Sequence, residues 1–361
     1  MGACRISGRG KINEDGAGAR CQLLERCKCG LLSKRTAFPC TSCSACGSIK
    51  QRPPRRARLT RIQSLHYGTP QANSLHLIKH YFEQYPEDAN KVVLSIKGAY
   101  HPKEGPNGSP EGIRASVEEA VKVLPPSIKP IDIFECARVD PKVPIETSIK
   151  ALAELVKEGK IRGVGLSEAS ANTIRKAHAV HPISAVEIEL SLFTPNPLHN
   201  GIADACHERT SLEKEAESPK KTSTDSVIHT TVSIPIAAYS PVGRGWLTGE
   251  LRKLDDLAEN DFRRMLPRFK PENFDQNLKL VEAVGQTAKR KGVTTAQVAI
   301  GWVCRQGAIP IPGTTKEARI VENCKPASLT DDDMAEIQKI LGTLPISGER
   351  YGGQHEAMLN G

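Results

Sequence analysis

Nowhere in the chain does an apolar run approach the ~18 residues that a membrane-crossing helix needs, so no spanning segment is expected and the chain reads as soluble. Aromatic residues are scarce at 4% of the total, which gives weight to any aromatic standing at the end of a strand. Acidic residues are nearly missing from the first 60 positions, which hold 13 Lys and Arg against only Glu14, Asp15 and Glu25. The remaining positions hold 37 basic and 38 acidic residues, so the net charge of +9 belongs to the head. The body lacks the basic excess that nucleic-acid binding calls for.

Cysteine is missing from most of the body and crowded into the head. Cys4, Cys21, Cys27, Cys29, Cys40, Cys43 and Cys46 precede residue 50, whereas Cys136, Cys206, Cys304 and Cys324 stand singly in apolar or helical contexts, as reduced cytoplasmic thiols do. The head spacings match no paired zinc knuckle and no histidine lies near them, so no metal site is expected. Acids, glycines and the lack of an amphipathic helix also argue against an organellar presequence. With one aromatic, Phe38, and a Pro53-Pro54-Arg55-Arg56 cluster, residues 1–60 offer too little apolar surface to offset chain entropy and are expected to be disordered.

What is present from Thr69 onward is an alternation of two periods. Helical spacing covers Leu75 to Tyr85, Ile113 to Val123, Glu146 to Glu158, Ala171 to Ala179 and Gly201 to Cys206. Buried-strand runs lie at Lys91 to Lys97, Ile131 to Cys136, Ile161 to Ser167, Ala185 to Leu190, Ile234 to Tyr239 and Ala308 to Ile311. Strands alternating with helices predict a parallel sheet with crossover helices, and six such strands point to a (β/α)8 TIM barrel over 61–350, with its chemistry at the strand C-termini. A polar stretch from 207 to about 231 interrupts one helix-to-strand passage and reads as an insertion, since structureless loops of that size are uncommon inside compact domains. Residues 351–361 form a C-terminal tail.

The last strand leads into Gly313, Thr314, Thr315 and a short helical stretch carrying Arg319, Glu322 and Asn323. A glycine admitting close approach, two hydroxyls at a helix start and an arginine one turn on form a phosphate-binding layout. An ordinary strand-loop-helix with a solvated arginine has the same pattern.

This stretch resembles the last strand, loop and helix of the aldo-keto reductases, within them the fungal pyridoxal-reductase-like branch, and the resemblance runs from about residue 67 to the C-terminus. It implies that Gly313, Thr314, Thr315 and Arg319 hold the 2′-phosphate of NADPH, with Glu322 and Asn323 facing the adenine. His66-Tyr67-Gly68-Thr69-Pro70 resembles the loop of the family's proton-donating tyrosine, and Lys97 stands where a lysine makes that phenol a better acid. Gly163 to Glu168 resembles the strand whose terminal serine, here Ser167, binds the nicotinamide carboxamide, and Glu187, standing where glutamine is usual, is implied as a cofactor-binding residue of the same site. Tyr239-Ser240-Pro241-Val242-Gly243-Arg244-Gly245 resembles the strand end and loop that stack on nicotinamide and cover the pyrophosphate.

Three features depart from the family pattern. Nothing in residues 1–66 resembles its first strand, first helix and second strand, so the chain is expected to lack its opening unit and reads as mis-assembled at its start. Ile62 stands where the lysine's aspartate belongs, which would leave a buried Lys97 more easily deprotonated. The strand histidine is replaced near Arg138, which either hydrogen-bonds a substrate oxygen or forms a structural ion pair with Asp132 or Asp140. The resemblance implies a monomeric, NADPH-dependent reductase of a small-molecule aldehyde, pyridoxal above all. A catalytically impaired relic that keeps a nucleotide-binding or interaction role stays open beside it.

Overall fold

The computed structural model describes residues 59–63, 68–69, 72–101, 103–208, 233–356, 358–359 and 361. Seven strands form one parallel sheet in chain order: β1 (Leu59–Gln63), β2 (Val93–Gly98), β3 (Ile133–Cys136), β4 (Val164–Ser167), β5 (Ile183–Glu189), β6 (Ile236–Tyr239) and β7 (Ile309–Pro310). Each of the first five crossovers carries one helix: α1 (Ser74–Gln84), α2 (Pro110–Val123), α3 (Ile145–Lys157), α4 (Ala171–Val180) and α5 (Ile202–His207). Two helices, α6 (Pro271–Lys291) and α7 (Thr295–Arg305), separate β6 from β7, and α8 (Glu317–Asn323) and α9 (Asp331–Thr343) follow. The helix starts are fixed locally. Asn73 accepts from the amides of Leu75 and His76, Ser109 precedes Pro110 and accepts from Gly112, and Thr294 and Thr330 each form a capping box.

All six strands read from the sequence are present. Alternate strand residues separate two faces: Leu94, Ile96, Phe134, Val164, Leu166, Val186, Ile188, Ile236 and Ala238 join the apolar core with the helices. Full burial of each larger side chain contributes about 1.5 to 3 kcal/mol. The alternating set, Ser95, Lys97, Glu135, Ser167, Glu187, Glu189 and Tyr239, is polar yet also buried. The sheet must therefore curl. Lys97 on β2 meets Glu187 on β5 at 2.7 Å, although in a flat sheet these strands would lie ~14 Å apart.

The expectation that both opening strands are lost is corrected. Leu59–Gln63 runs parallel to β2, from Leu59 beside Val93 to Gln63 beside Lys97, in the place of the second barrel strand. The domain boundary drawn at 60/61 therefore cuts a strand, and residues 1–58, expected to be disordered, lie outside the described residues. Among the described residues no strand joins β1 to β7, and those two edges stay open.

The expected insertion also lies outside the described residues except for its first two positions. His207 ends α5, and Glu208 pairs with Arg175 at 2.8 Å. On the far side, the Ile234 amide donates to the Cys206 carbonyl at 2.8 Å, so α5 and the approach to β6 are hydrogen-bonded neighbours.

Candidate active site

Lys97 sits at the C-terminal end of β2, 2% exposed. Its Nζ donates to Glu187 Oε1 at 2.7 Å and stands 5.3 Å from the centre of the Tyr239 ring. Next to it, Gly98 has no room for a Cβ, which would meet Ser116 Oγ at 2.4 Å and Phe134 Cζ at 2.5 Å. Tyr67 lies outside the described residues. The chain places it between Gln63, the register partner of Lys97, and Gly68–Thr69, which pair with Ala72–Asn73 ahead of α1. The register sets Ile62 beside Ile96 and Gln63 beside Lys97. Neither is an acid, but the expectation of a lysine without a carboxylate is corrected, because Glu187 supplies one from across the barrel.

Ser167 ends β4 with its Oγ buried and, among the described residues, without a hydrogen-bond partner. A buried hydroxyl left this way costs about 1 to 3 kcal/mol, so its position fits a ligand that accepts from or donates to it. Tyr239 ends β6, and its hydroxyl receives Nη2 of Arg350 at 2.8 Å and lies 3.3 Å from Tyr351 Oη. Burial, then the Glu168 carboxylate, push this phenol well above its ordinary range, so Tyr239 stays neutral and is a weaker acid than an ordinary phenol. After it the chain turns sharply: Ser240, Gly243, Arg244 and Gly245 all adopt positive φ, 51°, 59°, 57° and 102°. Two of the four are glycines, for which that conformation is unstrained. Pro241 begins the same loop.

Around this mouth lies an ionic network that sequence reasoning missed. Glu168, itself at φ 53°, accepts from Arg350 Nη2 at 2.8 Å and from the Glu189 amide at 2.8 Å. Glu189 accepts from Arg244 Nη2 at 2.8 Å and Arg350 Nε at 3.2 Å, with Arg268 Nη1 at 3.7 Å. Burial opposes the charge on Glu168, but Arg350 outweighs it and holds the carboxyl below its usual range. Arg244 also stacks on Tyr351, 4.1 Å from the ring centre, so its side chain serves this network as well as the loop. The stretch read as a tail thus brings Tyr351 to the site. Gly361 accepts from the Ser170 amide at 2.8 Å and donates to the Glu168 carbonyl at 3.2 Å. The available signal was an Arg-Tyr pair in a glycine-rich, aromatic-poor stretch.

Arg138 forms neither of the ion pairs considered for it. Asp132 is engaged by Lys129, Arg162 and the Leu94 amide, and Asp140 by the amides of Gly108 and Lys142. Arg138 is half-buried, its Nη1 donates to the Ala137 carbonyl at 2.6 Å, and its guanidinium is held above its ordinary range although burial works against the charge. Cys136, on the same strand end, is pushed up to about 12 by burial and so is not a nucleophile.

At the far end, the helix after β7 starts at Glu317, so Thr314 and Thr315 precede it rather than open it, and Lys316 is its N-cap. Thr314 Oγ1 accepts from the Lys316 amide at 3.0 Å. Gly313 is exposed, with nothing within 4 Å of a notional Cβ. Arg319 pairs with Glu250, which also receives Lys316 Nζ at 3.1 Å. Arg319, Glu322, Lys316 and Glu250 line an open groove of about 510 Å³ with Thr294 and Gln297. Asn323 is buried at 8% exposure and is not among the groove residues.

A parallel curled sheet with crossover helices and polar side chains at its strand C-termini has the layout of the active-site face of a β/α barrel. The Aldo/keto reductase family profile matches residues 65–342, and the chain belongs to that family. It is 39% identical over 305 residues to probable pyridoxal reductase 2 of Schizosaccharomyces pombe, covering 81% of this chain and 84% of that protein. It is 37% identical over 265 residues to aldo-keto reductase str7 of Strobilurus tenacellus, covering 72% of each. Among solved structures, the glycerol dehydrogenase AKR11B4 of Gluconobacter oxydans superposes with a TM-score of 0.65 at 23% identity, covering 82% of this chain and 84% of that one, and so shares the fold. The protein is accordingly an oxidoreductase of a family that uses nicotinamide cofactors. Among the described residues no helix is long and apolar enough to cross a membrane, and no His, Cys, Asp or Glu group is arranged to hold a metal.

Proposed function

We propose that this protein reduces an aldehyde to an alcohol with NADPH, and that pyridoxal, converted to pyridoxine, is its substrate. The observation that carries the reading is the buried, ion-paired Lys97 against the Tyr239 ring at the strand ends. A bound reduced nicotinamide supplies the hydride. Ser167 would meet its carboxamide, Tyr239 would offer a ring face, the Ser240 to Gly245 turn would hold the pyrophosphate, and Thr314, Thr315 and Arg319 would take the 2′-phosphate. Tyr67 gives its hydroxyl proton to the carbonyl oxygen as the alkoxide forms. The Lys97 ammonium stabilises the phenolate left behind, and solvent returns the proton. Arg138 orients the carbonyl oxygen from the neighbouring strand. The choice of pyridoxal rests on the 39% identical relative of that name.

The test is product analysis. Purified protein with NADPH and a panel of aldehydes should give the corresponding alcohols, with the highest kcat/KM for pyridoxal and pyridoxine as its product. Turnover of other aldehydes with none of pyridoxal would remove the substrate assignment. No turnover of any aldehyde would favour the impaired, nucleotide-binding alternative.

A further inference from the structure

We propose that Glu187 is the counter-ion that keeps Lys97 charged and in position, doing from the opposite side of the barrel what no acid on β1 does. The inference rests on the reading of Tyr67 as proton donor and Lys97 as the cation that assists it. Its basis is geometric. Lys97 and Glu187 are 90 positions apart and on strands separated by two others, yet Nζ and Oε1 meet at 2.7 Å with both side chains within 3% of full burial. Strand parity allows the meeting and the curl of the sheet completes it. Gln63, Lys97, Glu135 and Gly165 are register neighbours across β1 to β4, and Ser167, two residues on from Gly165 and so on the same face, is the neighbour of Glu187 on β5, so a carboxylate at 187 is on the barrel-facing side with the lysine.

The substitutions on either side of the lysine make one pattern. The β1 residues beside the Lys97 layer are Ile62 and Gln63, and neither brings negative charge. On β5 a residue with a negative charge stands in the layer. An ammonium taken out of water without a counter-ion deprotonates, and buried lysines of that kind titrate below neutrality. A neutral amine would leave Tyr67 with the acidity of an ordinary phenol. Glu187 is the carboxylate whose oxygen meets the amine at 2.7 Å, while Glu135 on β3 accepts from Ser95 Oγ at 3.4 Å and Tyr239 on β6 presents its ring to Lys97. Glu187 touches neither substrate nor proton in this scheme. It is a positioning residue.

The experiment uses the full chain and reads the pH profile of NADPH-dependent aldehyde reduction. Glu187→Gln should lower kcat at neutral pH at least tenfold and move the alkaline limb of kcat to lower pH by one unit or more, with NADPH affinity within about threefold of wild type. Glu187→Asp, which keeps the charge, should lie between. An unmoved limb in Glu187→Gln, or a loss confined to nucleotide affinity, would overturn the inference while leaving Tyr67 and Lys97 in their roles. Tyr67→Phe and Lys97→Met run in parallel, and if both keep full activity the underlying reading fails instead. A stability cycle secures the test against misfolding. Lys97→Met/Glu187→Gln should be more stable than either single variant, because the double change removes both charges at once. A double variant no more stable than the weaker single one would show that the pair carries nothing.

Discussion

Arg350→Met is the substitution that should damage the fold most without opening a large cavity. Arg350 donates to both Glu168 and Glu189 and to the Tyr239 hydroxyl, with its side chain 9% exposed. Methionine fills much of the aliphatic volume but leaves charge uncompensated. Glu189 would keep Arg244 at 2.8 Å, and Glu168 would keep the Glu189 amide at 2.8 Å, but no guanidinium would face Glu168 as Arg350 does. Removing one partner of a buried ion pair costs about 3 to 5 kcal/mol, and the retained Arg244 contact argues for the lower end, about 3 kcal/mol. For a domain of this size that corresponds to a fall in Tm of roughly 6 to 12 °C. The pH dependence gives the reasoning its sharper test. In the native protein the Glu168 carboxyl is held below its usual range, so its contribution is complete above the unfolded value near ~4.3 and is lost as pH falls through the folded one. Without Arg350 burial dominates, the folded value rises above the unfolded one, and protonation relieves the variant. Denaturant melts at pH 7.5 and pH 5 (chosen to lie about the shifted range) should show a smaller difference between variant and wild type at the lower pH. A difference below ~1 kcal/mol, or one unchanged with pH, would refute the account of the network.

Four further outcomes are expected. Arg319→Ala should reduce the preference for NADPH over NADH about tenfold, read by fluorescence titration, since one charge-assisted pair is worth about 1.5 to 3 kcal/mol. Glu250→Gln should instead tighten NADPH binding a few-fold, because Glu250 pairs with Arg319 before a phosphate can. Ser167→Ala should leave melting nearly unchanged, as it removes an unsatisfied buried hydroxyl, while weakening nucleotide binding several-fold. Asp333→Asn should cost about 2 kcal/mol at neutral pH, because Asp333 closes the α9 capping box and holds Lys291 at 2.6 Å and Arg290 at 3.0 Å. The native carboxyl is held below its usual range against the opposing effect of burial, so this stability is full above the unfolded value and declines as acid protonates the folded state.

The six long strand runs were legible because their buried faces are apolar on the helix side and few other stretches are. Strand β1 was not, since LTRIQ places Thr60, Arg61 and Gln63 among five residues and only pairing with β2 reveals it. Helix α6, the longest in the described chain at 21 residues, carried no expectation for a related reason. Its buried stripe includes Asn277 and Thr287, both fully buried, and Asn277 binds the Arg268 and Ser347 carbonyls, so polar letters interrupt the apolar period. The strand runs put Lys97, Ser167 and Tyr239 at strand C-termini, where such barrels collect their chemistry, and the structure has them there. Glu187 as partner of Lys97 could not be found this way, because the pairing depends on how far the sheet curls. Arg350 is 182 positions from Glu168, and no local pattern links them.

The most direct test of the central claim follows the disappearance of reduced nicotinamide by its absorbance, with saturating pyridoxal, for the wild-type chain and for Tyr67→Phe, with product quantified in the same samples. The account predicts one pyridoxine formed per NADPH consumed by the wild type, and a loss of at least a hundredfold in kcat in the Phe variant with nucleotide affinity retained, the lower end of what a positioned general acid contributes being about that factor. NADPH consumption without pyridoxine, or full activity in Tyr67→Phe, would contradict it.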